Sequence, residues 1–322
     1  MIWLIGAGPM AIEYAKVLEA QDKPYLCITR GEFSASIFKQ QVKGAAIAGG
    51  VNSFLDGGPQ AATHAIVATG IETLAEITHR LIKFGIKSIL VEKPAGMSVL
   101  EIEKTIMLAN EYQANVYVAY NRRFYESVNL AQKMIIEDGG VESLSYELTE
   151  WSHVIEALDI KDDVKENWFI ANTSHVVDLA FFLGGKPKHL SSFTSGQTSW
   201  HKRSAIFAGS GVTQSNALFT YHGNWNAPGR WALEILTKKR RFIFSPLEAL
   251  KVQQRGTVKI EDVKIENQID KNFKPGVFLQ VESFLNGKSN MLCNIKEQLA
   301  NVFYYTKMAN YGDQDASRIQ DT

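Results

Sequence analysis

Cysteine is nearly absent from this 322-residue sequence: Cys27 and Cys293 are the only two, far apart and in unrelated contexts. They make neither a disulfide framework nor a metal site, and read as buried thiols of a reducing compartment. Net charge is missing as well, because 34 basic residues cancel 34 acidic ones with histidines neutral. No global field therefore draws the protein to nucleic acid or an anionic membrane, and neither is expected as a partner. No uninterrupted apolar run approaches about 18 residues, so no transmembrane helix is expected. Residues 1–5 are apolar but carry no basic leader and run straight into a glycine-rich turn, unlike a signal peptide. Internal repeats and low-complexity tracts are lacking, and a cytoplasmic location is expected.

What is present is ordinary globular composition, 45% hydrophobic and 21% charged, in a chain long enough for two domains. Up to about residue 120, short apolar runs at 2–5, 25–29, 45–47, 65–68, 88–91 and 116–119 alternate with segments such as 11–18, 73–84 and 99–110, whose apolar residues recur at three and four. This alternation predicts βαβ units around a doubly wound parallel sheet of Rossmann type. After Tyr120 the pattern changes: a helix over 125–136, a strand over 141–150, a polar loop over 159–166 and a short apolar helix over 174–183 closed by Gly184-Gly185. Strand-like runs at 190–194, 217–221, 231–236 and 241–244, without long helices between them, predict a largely antiparallel sheet. Helices over 277–285 and 295–308 follow, and the polar tail from Asp313 reads as frayed. The fold class is thus α/β: a dinucleotide-binding domain over 1–121, then an α+β domain over 122–322 with an open sheet.

The first turn reads Gly6-Ala7-Gly8-Pro9-Met10-Ala11, a GxGxxA pattern between an apolar strand and an amphipathic helix. The first glycine permits the tight turn, the second lets backbone approach a pyrophosphate, and Ala11 permits close packing of helix on strand. Gly6, Gly8, Pro9 and Met10 are accordingly cofactor candidates. At the end of strand two, where an acidic residue would take ribose hydroxyls, the chain has Thr29-Arg30-Gly31-Glu32-Phe33-Ser34. Arg30 can grip a 2′-phosphate through paired charge-assisted hydrogen bonds, with Thr29 and Ser34 as further donors. NADP(H) is favoured on this reading. In the alternative, Arg30 stacks on the adenine and Glu32 takes the ribose, leaving NAD(H) possible. Ala68, Thr69, Glu92, Lys93 and Asn121 complete the expected cofactor contacts.

Strand five ends in Glu92-Lys93-Pro94 and the next strand in Tyr120-Asn121-Arg122-Arg123-Phe124, both at the sheet edge where open α/β folds bind ligands. Pro94 keeps Lys93 out of the helical region. Together with the GxGxxA turn and the later His175-Val176-Val177-Asp178, these segments resemble, in that order and over nearly the whole chain, the Gfo/Idh/MocA family of glucose-fructose oxidoreductases, inositol dehydrogenases and rhizopine-catabolism enzymes. The resemblance implies an NAD(P)-dependent oxidoreductase acting on sugars, cyclitols or nucleotide-linked sugars, often as a homodimer or homotetramer through its open sheet, with the helices from about 276 packing back toward the first domain.

Hydride transfer from a secondary alcohol needs a group that accepts the hydroxyl proton, and the reverse reaction needs its donor. Lys93 and His175 are the catalytic candidates. His175 has a side chain that titrates near working pH and stands where the family's histidine does; the plainer reading is a histidine that binds a substrate hydroxyl or caps its helix. Lys93 would polarise the substrate oxygen or relay a proton, against a structural pair with Glu92. Asp178, one helical turn beyond His175, orients it or serves the helix. One departure stands out: many competent relatives carry an acidic residue four positions before the histidine, where this chain has Ala171. Either Asn172 and Tyr120 complete a different hydrogen-bonding set, or Lys93 and His175 act alone, or the fold has become a ligand sensor.

Tyr120, Arg123, Trp151, His153, Trp168, Asn172 and Arg230 join Lys93 and His175 as substrate-facing candidates, since aromatic faces suit sugar C–H groups and the polar side chains suit hydroxyls or anions. Arg230 is read either as a clamp for an anionic substituent or as an arginine stacked on Trp231. The run Lys238-Lys239-Arg240-Arg241 reads as a solvated turn, and no metal site is expected. The leading reading is an NADP(H)-dependent carbohydrate oxidoreductase; the alternatives are a non-catalytic ligand-binding or regulatory protein and an NAD-dependent inositol or sugar dehydrogenase.

Overall fold

A computed structural model describes residues 1–265 and 268–312, so the tail read as frayed lies outside the described residues. The chain forms two compact units. The first comprises Met1–Phe124 and, returning late in the chain, Gln268–Leu299.

In the first unit β1 (Ile2–Ile5), β2 (Tyr25–Ile28), β3 (Ala45–Ile47), β4 (His64–Val67), β5 (Ser88–Val91) and β6 (Asn115–Val118) alternate with α1 (Pro9–Ala20), α2 (Glu32–Gln41), α3 (Gly50–Asp56), α4 (Leu74–Phe84) and α5 (Val99–Glu111). β1 and the last three residues of β4 and β5 are apolar without alternation because helices cover both faces of the sheet. Sheet order is β15-β6-β5-β4-β1-β2-β3, where β15 is the short Cys293–Asn294. All pairs are parallel except β15 with β6, an antiparallel edge strand with no signal in the sequence pattern. Cys27 and Cys293 are both buried and free. The α5 helix starts on a capping box: Ser98 Oγ accepts from the Glu101 backbone N–H, and Glu101 Oε2 accepts from the Ser98 N–H. Within Gln268–Leu299, α11 (Val277–Leu285), preceded by the single turn α10 (Ile269–Asn272), places Val277, Val281 and Phe284 in the same core as Tyr14 and Leu18 of α1. α12 (Ile295–Ala309) begins in this unit and ends in the second.

The second unit is built on an eight-stranded sheet of order β14-β13-β12-β11-β7-β10-β9-β8. Its strands are β7 (Ser143–Glu147), β8 (Pro187–Ser195), β9 (Ile206–Thr213), β10 (Leu218–Asn224), β11 (Ala232–Leu236), β12 (Arg240–Phe244), β13 (Lys251–Gln254) and β14 (Ile260–Asp262). Every pair is antiparallel except β7 with β10. The helices are α6 (Glu126–Glu137), the single turns α7 (Ser152–Glu156) and α8 (Asp162–Glu166), and α9 (Ser174–Gly184), which lies on β7 and β11. The α8 turn falls in the stretch expected to be loop. Its acidic first turn favours a helix start, although it is too short to show periodicity.

The basic run is the β11–β12 turn, but it is not wholly solvated. Lys238 pairs with Glu142 at 3.7 Å and Arg241 with Glu234, while Arg240 is largely buried against Asp138. Asp138 closes α6 with a fully buried carboxylate, which accepts Arg240 Nη2 at 2.7 Å and Nε at 3.0 Å and the Thr237 hydroxyl at 2.8 Å. Burial pushes its pKa up, but the Arg240 fork and Thr237 outweigh that and hold it below the usual carboxylate range. Arg240→Ala leaves this carboxylate buried and unpaired and is expected to cost about 3 kcal/mol in urea unfolding at neutral pH. Because the folded pKa is depressed, the wild-type advantage is present above the unfolded value of about 3.9 and fades as pH falls through the folded one. An Arg240→Ala variant as stable as wild type at pH 7 would contradict this.

Candidate functional site

The glycine turn is shaped by two different constraints. Gly6 has φ +110°, and a Cβ there would lie 2.3 Å from the Ala68 carbonyl oxygen at the end of β4. Gly8 is exposed, and a Cβ on it would meet no protein atom within 4 Å. It is the N-cap of α1, with Pro9 following and neither a side-chain cap nor an acidic residue in the first turn. The helix N-terminus thus presents its positive end and its amides past a bare backbone, which fits a dinucleotide pyrophosphate.

Beside it, β2 ends at Ile28; Thr29 is buried, Arg30 exposed, and Ser34 sits half-buried in the first turn of α2. Among the described residues no carboxylate pairs with Arg30, so its guanidinium is available to a 2′-phosphate. Ala68 is buried under the turn, and Thr69 accepts a hydrogen bond from the Thr73 hydroxyl at 3.0 Å.

At the β5 edge the Glu92 carboxylate accepts the Tyr14 hydroxyl of α1 at 2.6 Å. Burial pushes the Glu92 pKa up, opposed by that hydrogen bond and by the charges of Lys93 and Lys274. Tyr14 is a partner that sequence reasoning missed: it lies 78 residues from Glu92, and its helical spacing marks it only as core. Lys93 is half-buried and joined to Pro94 by a cis peptide bond; the Pro94 carbonyl accepts Gln298 Nε2 at 3.0 Å. Of the other first-unit candidates, Tyr120 is buried, and Asn121 is also buried and donates to the Pro275 carbonyl at 2.9 Å. Arg123 is 2% exposed and ion-paired with Glu297 at 3.0 Å. The fold of the first unit thus takes up the charge of Arg123, which sequence reasoning had offered to substrate.

The second unit assembles most of its candidates around a residue that sequence reasoning did not single out. Glu150, just beyond β7, is 2% exposed. Its Oε1 accepts Asn172 Nδ2 at 3.0 Å and the Thr173 hydroxyl at 2.7 Å, and its Oε2 accepts Arg230 Nη1 at 2.9 Å. Burial pushes the Glu150 pKa up, while Thr173, Arg230 and Asn172 oppose the rise. The Arg230 guanidinium lies 4.4 Å from the Trp231 ring centre and 5.0 Å from that of Trp151. Arg230 is thus stacked on Trp231 and ion-paired with Glu150. A lone Glu followed by Trp at a strand end is a faint signal, and nothing local links it to partners 22 and 80 residues away.

Asn172 and Thr173 close a π-helical turn, Phe169–Thr173, that leads directly into α9. His175 is the second residue of that helix, 7% exposed, with its ring 6.1 Å from that of Trp231. Asp178 lies one turn on, buried, and takes a long 3.5 Å hydrogen bond from Asn301. A cavity of about 580 Å³ opens beside Glu150, lined by half-exposed Trp151, His153 and the 225–229 turn. Trp168 instead packs edge-on against Trp200, 6.0 Å between ring centres. Among the described residues no three His, Cys, Asp or Glu side chains are grouped to hold a metal ion, and no helix is long and apolar enough to cross a membrane.

No protein-family model matches the chain, and no curated protein sequence does either. Solved structures do. The UDP-N-acetylglucosamine 3-dehydrogenase GnnA of Acidithiobacillus ferrooxidans is 14% identical, with a TM-score of 0.74 over 95% of both chains. The WlbA dehydrogenase of Chromobacterium violaceum, solved with NADH and UDP-GlcNAcA, is 14% identical, with a TM-score of 0.72 over 95% of this chain and 92% of its own. The dehydrogenase MviM of Clostridium difficile is 17% identical, with a TM-score of 0.75 over 97% of this chain and 99% of its own. The likeness is one of fold: a Rossmann-like, largely parallel α/β sheet followed by a largely antiparallel one.

Proposed function

We propose that this protein is an oxidoreductase of the Gfo/Idh/MocA type that transfers a hydride between NADP(H) and a hydroxyl or ketone carbon of a carbohydrate. The bare Gly8 backbone at the start of α1 carries the reading, because beside the tight Gly6 turn it leaves the uncapped helix N-terminus open to an anion. Gly6, Gly8, Pro9 and Met10 would hold the pyrophosphate, Arg30 with Thr29 and Ser34 the 2′-phosphate, and Ala68, Thr69 and Glu92 the ribose and nicotinamide end. When bound, the nicotinamide gives or takes the hydride. Lys93 polarises the substrate oxygen, and the His175 imidazole takes the hydroxyl proton or returns it. Half-exposed Trp151 offers a flat face to sugar C–H groups, and the open N–H groups of Arg230 and the side chains of His153 and Asn172 offer hydrogen bonds to hydroxyls.

The fold neighbours named as sugar-nucleotide dehydrogenases support the carbohydrate class, and the unpaired Arg30 supports the cofactor choice. Arg30→Ala is expected to weaken NADPH binding by about 10- to 100-fold, the loss of one or two charge-assisted hydrogen bonds, with NADH affinity nearly unchanged. Calorimetric titration of both dinucleotides measures this; an NADH preference that survives the substitution rejects the phosphate clamp. A panel of sugars, cyclitols and sugar nucleotides, followed at the nicotinamide absorbance, tests the reaction itself. Binding without turnover across the panel would replace an enzyme with a ligand-binding protein. We further propose a cytoplasmic homodimer or homotetramer formed through the second sheet, whose outer face exposes Phe193 and Leu218; the two buried thiols suit a reducing compartment.

A further inference from the structure

Glu150 is an unusual residue to find sealed inside a sheet-and-helix core. A buried carboxylate is costly, and one retained with three protein donors on it does work that a well-packed apolar side chain of the same volume would not. Its two oxygens divide that work. Oε1 ties down consecutive side chains, Asn172 and Thr173, at the end of the π-helical turn, and the residue after next is His175. Oε2 holds Arg230 flat on Trp231, the ring against which His175 packs. Glu150 therefore reaches His175 by two independent routes, one through the backbone of the turn and one through the Arg230–Trp231 stack. A π-helical turn is a poorly favoured geometry that persists where surrounding bonds over-determine it, and here the carboxylate supplies those bonds.

We propose that Glu150 is a positioning residue of the site: it fixes the orientation of the His175 imidazole and of the Arg230 guanidinium together, so that its loss misplaces both. The proposal rests on the role given to His175 above. It is not an acid–base role for Glu150 itself, whose carboxylate is fully engaged by protein donors.

Glu150→Gln separates positioning from packing. The amide keeps the volume and leaves an acceptor oxygen for Asn172 and Thr173, but it turns an NH2 toward Arg230 and removes the charge that holds it. In the dinucleotide-free protein the imidazole resonances of His175, assigned with His175→Gln, are expected to shift. Those of His201, bonded to Ser204 and Tyr311 elsewhere in the same unit, are expected to stay. With a substrate from the panel, kcat is expected to fall about 10²-fold, the scale of a misplaced catalytic group, with NADPH affinity unchanged. Glu150→Asp, which keeps the charge on a shorter arm, should fall between the two and serves in place of Glu150→Gln if that variant does not fold. A lower Tm with unmoved His175 resonances, or a wild-type kcat, overturns the proposal. The resonance readout needs no substrate, so if no compound turns over, the redox reading fails while the shift of His175 alone still decides the role of Glu150.

Discussion

Lys93→Ala and His175→Ala are each expected to lower turnover by about 10²- to 10⁴-fold, the range over which a positioned acid or base contributes to a proton-coupled step. Dinucleotide affinity should stay close to wild type in His175→Ala, since the glycine turn and Arg30 lie in the first unit and His175 in the second. The split between the two variants is informative. Loss of His175 removes the proposed proton acceptor, so residual activity should rise with pH where hydroxide replaces the missing base. Loss of Lys93 removes a cation, so the pH profile should keep its shape while kcat falls. Steady-state kinetics across the neutral and mildly alkaline range would show this. Unchanged turnover in both variants would remove the acid–base assignment.

Gly6→Ala and Gly8→Ala are expected to part company. At Gly6 a methyl group must enter a left-handed backbone conformation and overlap the Ala68 carbonyl at 2.3 Å, with β1 and β4 fixed on either side. Backbone strain and overpacking together cost about 4 kcal/mol, enough to take a large share of the stability of an ordinary domain. At Gly8 a methyl group meets no protein atom, so unfolding should be little changed while NADPH binding weakens at least tenfold, because the new side chain stands where the pyrophosphate must approach. Urea unfolding and calorimetric titration of the two variants measure both effects. A Gly8→Ala variant that binds NADPH like wild type would mean that the turn holds no phosphate.

The strands of the first sheet were legible because their signal is local. Runs such as Ile2–Ile5 and residues 89–91 are apolar throughout, as buried parallel strands must be, and the glycine turn and the capping box of α5 are read within a few residues. The edges were less legible. Strand β9, Ile206–Thr213, next to the edge strand β8, has its apolar run broken by two glycines, since glycines 209 and 211 make room for Tyr221 and Phe219 of the neighbouring strand; a Cβ at either would lie 2.5 Å from those rings. Strands β13–β15 are too short to show a period. Among site residues, Lys93 and Arg30 were read from their places at strand ends and His175 from the family resemblance; Arg123 and Trp168 were named as well, and the structure finds them in an ion pair with Glu297 and edge-on against Trp200.

The order of βα units, the glycine turn, the arginine in place of an acid after β2 and the near absence of cysteine were properties of the chain itself, settled by sterics and hydrophobic period over a few neighbours. Tertiary structure alone decided that Cys293–Asn294 adds an antiparallel edge to the first sheet, that Tyr14 bonds Glu92, and that Glu150 gathers Asn172, Thr173 and Arg230. Those pairings join residues separated by 22 to 266 positions, counting the Gln280 side chain that also takes the Tyr14 hydroxyl. No local period encodes them; they exist because a buried polar group must find its partners wherever the fold has brought them.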